Sequence, residues 1–390
     1  MFFRNITNSN KQANLKISIV GGSNSVMRRG YVKYLSSELS KLTSKISSVN
    51  YYSLGGVPNI FGTIQEDRYN IASQSDIIFF EYCVNDRHAI ETNNYSLDLV
   101  GKSLEGFIRK CQQSNPYCLI VLLLFGVNKK EYYQGTCRIS QIYEFIGRRY
   151  CLPIVNITEL LSKTKDISFI KSLYDGKDVA HYTRPNGVKV VSQTIVEQLN
   201  KIGVISSLKS EKNSPRGLNI KPVYPDNFEK LSFFENFEAG FFKQPIKASI
   251  YQNSVYREKN FAISQGNSLQ FLLKGQLAAI YIKSDLNDGL IEINFGQQRI
   301  VTSSYSAWVH QIKPQNVINL ITLPLRRFEP SNDFIPVSIG CCPTYPDRYE
   351  LDYVKQEPKR RDPRKWTLKI IGIAYIGELK PISSLKTNCC

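Results

Sequence analysis

The chain has 390 residues, of which 42% are hydrophobic and 21% charged, and its net charge is +17. This composition excludes a disordered or collagen-like chain and is typical of a globular protein long enough for two domains of about 100–200 residues. The longest apolar run, residues 118–125, is too short to span a bilayer, which needs about 20 residues. The N-terminus also lacks the apolar region and cleavage site of a secretory signal. We therefore expect a cytoplasmic protein without a transmembrane segment, and the positive charge favours anionic partners, a peripheral membrane contact among them.

The cysteine and histidine patterns exclude several cofactor classes. The nine cysteines are an odd number without any Cys-x-x-Cys pair, which favours reduced thiols over a disulfide framework. The three histidines are scattered and lack the companion ligands of a zinc site. Neither a Walker nor a dinucleotide glycine motif occurs. We expect no metal and no tightly bound cofactor.

The first half of the chain alternates between strand and helix patterns. Apolar runs predict strands at residues 15–20, 45–54, 77–80, 117–126 and 152–157. Helical spacing predicts helices at residues 26–42, 97–111, 141–150, 158–173 and 184–203. This alternation indicates an α/β domain, residues 1–203, with a parallel sheet covered by helices on both faces. Sites in such sheets lie beyond the carboxyl ends of the strands, and Ser23, Gly55 and Asn85 each follow a predicted strand.

The second half has a different pattern. Residues 204–229 are polar and contain three prolines, which predicts a linker. Residues 230–390 contain strand-length apolar runs separated by turn signals such as Asn287-Asp288-Gly289, and this predicts an all-β, sandwich-like domain. We expect this domain either to bind carbohydrate or to have only a packing role. Five phenylalanines between residues 233 and 242 suit either a sugar-stacking strip or a packed core, and packing is the commoner use. The basic run 355–369 suits either a solvated loop or an anion-binding patch.

Four short motifs occur in a fixed order in the first half. They are "GGSNS" (21–25), "NYYSLGG" (50–56), "CVND" (83–86) and "DVAH" (178–181). Each motif alone is weak, since Gly-Gly-Ser and Asn-Asp usually mark turns. Together they resemble the pattern of the SGNH (GDSL-like) hydrolases, over about residues 15–203. The resemblance implies a flavodoxin-like sheet and a serine esterase or acyltransferase.

The chemistry of these residues suits acyl transfer. Ser23 follows the first strand on a tight turn, and Asp178 precedes His181 by three residues, close enough for its carboxylate to bind the imidazole. The resemblance makes Ser23, Asp178 and His181 the catalytic triad. It also assigns the oxyanion donors to the Ser23 N–H, the Gly55 N–H and the Asn85 amide, with Gly56 as the alternative to Gly55.

Two residues depart from the family pattern. Gly22 stands where the family has aspartate, so a hydrogen-bonding group beside the nucleophile is missing. Cys83 stands where the third motif has glycine. These departures keep open the alternative of a catalytically degenerate domain that serves as a glycan-binding module.

The favoured function is serine-dependent acyl transfer on a carbohydrate, either O-acetyltransfer or O-acetyl ester hydrolysis. An anionic bacterial surface polysaccharide, capsule or lipopolysaccharide, suits the basic surface, and acetyl-CoA is the acyl donor that a cytoplasmic location would supply. Nucleic acid is not expected as a partner, because no recognition motif occurs and the charge is spread over both halves of the chain.

Overall fold

The computed structural model describes residues 15–42, 46–93, 95–209, 220–311, 315–323, 330–346, 357–358 and 361–382. These residues divide between two compact units that interleave along the chain. The first contains the chain up to Gly55, Asn70–Val84 and Cys111–Ile220, and the second contains Gly56–Tyr69, Asn85–Lys110 and the chain from Lys221. The sequence predicts one domain that ends at residue 203 and another that begins after residue 229, and this division into domains stays a prediction.

The first unit is built on a parallel sheet of five strands. They are β1 (Leu15–Gly21), β2 (Ile46–Tyr51), β3 (Ile77–Glu81), β4 (Leu119–Leu124) and β5 (Ile154–Asn156), and a short antiparallel pair, β6 (Tyr174–Asp175) and β7 (Asp178–Tyr182), follows. The order in the sheet is β2-β1-β3-β4-β5, the flavodoxin-like order. Every residue of β3 and β4 is buried, as expected for apolar strands covered on both faces. The predicted α/β class is confirmed.

The described helices are more numerous than the sequence predicts. They are α1 (Ser23–Val26), α2 (Tyr31–Leu42), α3 (Ile60–Tyr69), α4 (Cys83–Asn93), α5 (Leu97–Ser114), α6 (Lys130–Tyr133), α7 (Arg138–Arg149), α8 (Ile157–Ser162), α9 (Ile167–Ser172), α10 (Asn186–Lys201) and α11 (Val204–Lys209). The predicted helix 26–42 is wrong at its start, because Met27 is extended and Arg29 has a φ of 60°. Among the described residues, no helix has both the length and the apolar character needed to cross a membrane.

The second unit contains an antiparallel sheet of nine strands. They are β8 (Leu231–Phe234), β9 (Ala248–Gln252), β10 (Arg257–Ser264), β11 (Ser268–Asp285), β12 (Leu290–Phe295), β13 (Gln298–Ser303), β14 (Asn316–Thr322), β15 (Ser331–Cys341) and β16 (Thr367–Pro381). Two long strands, β11 and β16, pair with each other, and each divides its other edge between two shorter partners. β11 pairs with β15 and then β14, and β16 pairs with β10 and then β8. The predicted all-β, sandwich-like architecture is confirmed.

A pair of glycines lies in the middle of the two long strands. Gly275 and Gly377 are register partners with φ values of 130° and 118°. A Cβ atom on Gly275 would lie 1.9 Å from the carbonyl oxygen of Ile376, and one on Gly377 would lie 2.1 Å from that of Lys274. Only glycine fits both positions, because the left-handed conformation and the close backbone approach exclude a side chain.

The second unit also holds helices from the first half of the sequence. Arg68 on α3 is almost fully buried and forms an ion pair with Glu258 on β10 at 2.8 Å. The neighbouring Asp67 accepts a hydrogen bond from the backbone N–H of Phe233 on β8 at 2.7 Å. These contacts attach α3 to the antiparallel sheet, so the two halves of the sequence do not correspond to the two compact units.

Candidate active site

The "GGSNS" motif forms a tight corner between β1 and α1. The Gly22 N–H donates to the carbonyl oxygen of Glu81 at 2.8 Å, and the Ser25 N–H donates back to the Gly22 carbonyl at 3.1 Å. A Cβ atom on Gly21 would lie 2.3 Å from Ser25 Oγ and 2.9 Å from the Glu81 carbonyl oxygen, so this position requires glycine. The corner places Ser23 at the first position of α1, immediately beyond the carboxyl end of a central strand.

The "DVAH" motif lies on β7, the second strand of the short antiparallel pair. Asp178 Oδ1 accepts hydrogen bonds from the backbone N–H groups of Ala180 at 2.9 Å and His181 at 3.2 Å, which closes a compact turn. The turn leaves the second carboxylate oxygen, Oδ2, 2.6 Å from His181 Nδ1. The three-residue spacing therefore brings the carboxylate to the imidazole, as the sequence predicts.

Ser23, His181 and Asp178 are joined by hydrogen bonds into one relay. His181 Nε2 lies 2.7 Å from Ser23 Oγ, on the opposite side of the imidazole from Asp178. Partial burial opposes ionisation of Asp178, but hydrogen bonds from Ala180 and His181 outweigh it and lower the pKa of this carboxyl below its ordinary value. An ionised Asp178 favours the tautomer with the proton on Nδ1, which leaves Nε2 free to accept the Ser23 proton.

Two further hydrogen bonds hold the His181 turn. The side-chain amide of Asn24 donates to the Ala180 carbonyl oxygen at 3.2 Å, and the backbone N–H of Asn128, in the loop after β4, donates to the Val179 carbonyl at 2.8 Å. Asn24 is buried and directly follows Ser23. The segment that carries the serine is therefore tied to the segment that carries the histidine by a contact separate from the relay.

The predicted oxyanion donors lie in different surroundings. A Cβ atom on Gly55 would lie 3.4 Å from Ser23 Cβ, so this glycine is next to the serine, and the Leu54 N–H donates to the Gly21 carbonyl to hold it there. Gly56 has a φ of 78°, and a Cβ atom on it would have no neighbour within 4 Å. The Asn85 amide, in the second unit, donates to the Val57 carbonyl at 3.0 Å. Contact with the serine favours Gly55 over Gly56, and the role of Asn85 remains a prediction from the resemblance.

A buried polar network lies beneath the corner where Gly22 replaces aspartate. Ser25 Oγ donates to Glu81 Oε2 at 2.9 Å and lies 3.1 Å from the Tyr31 hydroxyl. Burial, followed by the Glu81 carboxylate, raises the pKa of Tyr31 far above its ordinary value, so Tyr31 stays protonated. The corner thus has a carboxylate contributed by β3, although position 22 has no side chain.

The turn after α1 contains a strained arginine. Gly30 N–H donates to the Met27 carbonyl, and the two residues between them are Arg28 and Arg29. Arg29 has a φ of 60°, in the left-handed region, which costs an L-residue other than glycine roughly 1–2 kcal/mol. Both arginines are exposed.

Other residues considered in the sequence lie outside this site. Three of the five phenylalanines, Phe237, Phe241 and Phe242, are buried in the core of the antiparallel sheet. Cys341 lies in the same core, and burial raises the pKa of its thiol to about 12, so it packs as an apolar group. Cys83 is fully buried at the start of α4, and His88 lies on the same helix. Residues 355, 356, 359 and 360 of the basic run fall outside the described residues.

Comparison with known proteins gives matches among solved structures only. No family model and no curated protein matches the chain. Two crystal structures of a two-domain esterase active on acetylated mannans match 94% of it, with TM-scores of 0.60 and 0.61 and identities of 15% and 14%, and the match covers 91% and 92% of those chains. A catalytic mutant of the acetylxylan esterase Axe2 from Geobacillus stearothermophilus matches 48% of this chain and 96% of its own, with 12% identity and a TM-score of 0.39.

The resemblance to the SGNH hydrolases is confirmed for the fold. The match to the two-domain esterase extends beyond the α/β region that carries the four SGNH-like motifs, and it includes the antiparallel sheet. At 15% identity the likeness concerns the fold, so the chemistry is argued from the residues of this chain.

Sequence reasoning missed the supporting residues of the SGNH-like site. Asn24 belongs to the "GGSNS" motif and directly follows the nucleophile. This position is a signal from which a supporting hydrogen bond could have been predicted. Glu81 ends an otherwise apolar strand, and a lone carboxylate in such a run indicates a buried partner. Asn128 acts through its backbone, for which no sequence signal exists.

Proposed function

We propose that this chain is a serine-dependent carbohydrate esterase that removes acetyl groups from a polysaccharide through an acyl-Ser23 intermediate. The relay from Asp178 through His181 to Ser23, with bonds of 2.6 and 2.7 Å, carries the proposal. The two-domain esterase of the same fold acts on acetylated mannans, which supports an acetylated polysaccharide as substrate.

The proposed reaction has two steps. Ser23 Oγ attacks the acetyl carbonyl while His181 Nε2 takes its proton, and His181 then gives this proton to the sugar oxygen as the C–O bond to the acetyl group breaks. Water, deprotonated by His181, next attacks the acetyl-serine and releases acetate. The Ser23 and Gly55 N–H groups are the proposed donors to the oxyanion, and Asn85 is the third donor that the resemblance implies.

Transfer to a sugar hydroxyl is the second outcome of the same intermediate. O-acetylation of a capsule or lipopolysaccharide chain would use the same relay, with a sugar hydroxyl in place of water and acetyl-CoA as a candidate donor. We favour hydrolysis because the similar two-domain structure is that of an esterase.

The test uses p-nitrophenyl acetate and acetylated mannan with the natural protein and Ser23→Ala. We expect acetate release from both substrates, and a loss of kcat of about 10⁴-fold or more in the variant because the nucleophile is absent. Ser172→Ala, an exposed serine on α9, is the matched control and should keep full activity. Equal activity of Ser23→Ala and the natural protein would overturn the proposal.

A second measurement separates the alternatives. An oligosaccharide acceptor is added with acetyl-CoA or with p-nitrophenyl acetate, and acetate and acetylated sugar are both measured. Acetate as the main product supports the esterase, and acetylated sugar would indicate the transferase. Binding of glycan by the natural protein without any turnover would indicate the binding-module alternative.

A further inference from the structure

Three exposed arginines lie on the two segments that carry Ser23 and His181. Arg28 and Arg29 form the turn after α1, and Arg184 follows His181 by three residues. The Arg184 guanidinium donates to the Arg28 carbonyl at 3.3 Å, a third contact between the two segments besides the Ser23–His181 and Asn24–Ala180 hydrogen bonds. We call these three residues the arginine cluster.

The arginine cluster is not neutralised within the part of the chain that the structure describes. No described carboxylate forms an ion pair with Arg28, Arg29 or Arg184, whereas arginines such as Arg68, Arg109 and Arg148 do have carboxylate partners. Surface arginines that lack carboxylate partners keep their donors available for a ligand, and a guanidinium binds carboxylate, phosphate or sulfate oxygens in a bidentate manner.

The chain segments that carry the relay or contact it have a net positive charge, like the arginine cluster. Residues 23–30, 128–133 and 175–184 contain six basic residues and three acidic ones, and one of the acidic residues is Asp178, which is bound to His181. The remaining carboxylates are Glu131 and Asp175, and Asp175 accepts a hydrogen bond from the Lys177 backbone. The two relay segments and the loop after β4, which donates the Asn128 N–H to the Val179 carbonyl, therefore carry a net positive charge, with Glu81 buried beneath the corner.

The backbone of Arg29 supports a functional role for the cluster. Its left-handed conformation is one that glycine or asparagine adopts with less strain, and such strain is frequently found next to functional sites. The hydrogen-bonded turn between Met27 and Gly30 fixes the backbone of both arginines. Less conformational entropy is therefore lost when their side chains bind a ligand.

We propose that the arginine cluster binds an anionic group of the sugar chain, so that the esterase selects acetylated polysaccharides that carry carboxylate, phosphate or sulfate groups near the acetyl ester. This proposal rests on the proposed function and adds the class of substrate. Opposite charge also speeds association of a polyanion with the site, an effect that salt screens.

The test compares polymers that differ only in charge. Kinetics are measured on O-acetylated polygalacturonate with free carboxylates and with methyl-esterified carboxylates, and on p-nitrophenyl acetate. We expect a KM about tenfold lower for the free carboxylate polymer, and this advantage should shrink severalfold between 50 and 500 mM salt. Sulfated and phosphate-bearing acetylated glycans form two further arms, which identify the anion that is preferred.

The matched variants remove equal charge from two places. Arg28→Gln with Arg29→Gln should raise KM about tenfold for the charged polymer and leave the esterified polymer and p-nitrophenyl acetate unchanged. The control is Arg148→Gln with Arg149→Gln, at the end of α7 that leads into the edge strand β5, which β3 and β4 separate from the strand that precedes Ser23. An equal effect of the control, or equal KM values for the charged and esterified polymers, would overturn the proposal.

A binding measurement keeps the two proposals distinguishable. Ser23→Ala is titrated with deacetylated polygalacturonate, with neutral mannan and with RNA. Binding of the carboxylate polymer that the Arg28→Gln, Arg29→Gln change weakens would support the arginine cluster even if no substrate is hydrolysed. RNA binding as tight as polygalacturonate binding would contradict selection for a sugar chain.

Discussion

Two aspartates, one in each compact unit, accept backbone hydrogen bonds in a turn with one carboxylate oxygen and differ in what the second oxygen contacts. Asp178 accepts backbone N–H bonds from Ala180 and His181 with Oδ1 and binds the His181 ring with Oδ2. Asp288, in the Asn287-Asp288-Gly289 turn, accepts the Asp285 N–H with Oδ2, and its Oδ1 lies 3.5 Å from Lys369 Nζ without a hydrogen bond. Both carboxylates thus accept backbone N–H groups, and their chemistry depends on what the second oxygen contacts.

The two surroundings shift the pKa of the carboxyl groups in opposite directions. Burial dominates at Asp288 and raises its pKa to about 7, although Lys369 opposes this shift. At Asp178 the side chain is 45% exposed, and the donors outweigh the effect of burial and lower the pKa. Asp178 is favoured in its charged form by partial exposure and several donors, which the short β6–β7 pair provides and the buried turn in the antiparallel sheet does not.

Neutralising Asp178 should have the largest effect. Asp178→Asn keeps an oxygen that can accept the Ala180 N–H, but it no longer fixes the His181 tautomer, so we expect kcat on p-nitrophenyl acetate to fall by about 10³–10⁴-fold. The control is Asp175→Asn, an exposed carboxylate on the same strand pair, which should leave kcat within a factor of two or so. If both variants lose the same activity, the loss reflects disruption of the strand pair and not of the relay.

Neutralising Asp288 should change stability and not catalysis. Its folded-state pKa of about 7 lies above the unfolded value of 3.8, so the folded state holds an extra proton between these values, and stability falls as the pH rises through this window. Asp288→Asn should remove this dependence, which amounts to about 3–4 kcal/mol between pH 4 and 7. Asp178 acts in the opposite sense, since its lowered pKa gives stability that is lost as the pH falls below 3.8.

The measurement is denaturant unfolding of both proteins between pH 4 and 8. Asp333→Asn, at an exposed position on β15, provides a control for removal of one surface charge. Parallel curves of unfolding free energy against pH for the natural protein and Asp288→Asn would show that Lys369 keeps Asp288 ionised throughout. Asp288 and Asp178 would then no longer differ in the direction of their pKa shifts.

The sequence predicted those parts of the fold and candidate site that depend on local pattern. Apolar runs located β1, β3 and β4 because buried parallel strands are continuously apolar, and the three-residue spacing of Asp178 and His181 is short enough for geometry to follow from sequence. Only the start of the helix predicted at residues 26–42 was wrong, because a left-handed Arg29 precedes α2 and no side-chain pattern predicts that conformation. The attachment of α3 to the antiparallel sheet rests on Arg68 and Glu258, 190 residues apart, a pairing that periodicity does not encode.

The smallest expected effect concerns the side-chain tether between the Ser23 and His181 segments. Asn24→Ala removes the donor to the Ala180 carbonyl, so the imidazole should be less well oriented while the relay residues remain. We expect kcat to fall about tenfold with KM unchanged, and the free energy of unfolding to fall by about 1 kcal/mol.

The matched control for this tether is Asn115→Ala. Its amide likewise donates to a backbone carbonyl, that of Ala72, in the same unit and at 2.9 Å, and its Oδ1 accepts the Tyr117 N–H at 3.0 Å. The variant should therefore cost at least as much stability as Asn24→Ala and leave kcat unchanged. Equal losses of kcat in the two variants would mean that general stability, not orientation of His181, limits the reaction. A loss confined to Asn24→Ala would show that the Asp178 turn depends on the segment that carries Ser23 for its alignment, whereas the Asp288 turn is tied to β16 by Lys369 and by the Thr367 N–H, which donates to the Asn287 carbonyl at 3.0 Å.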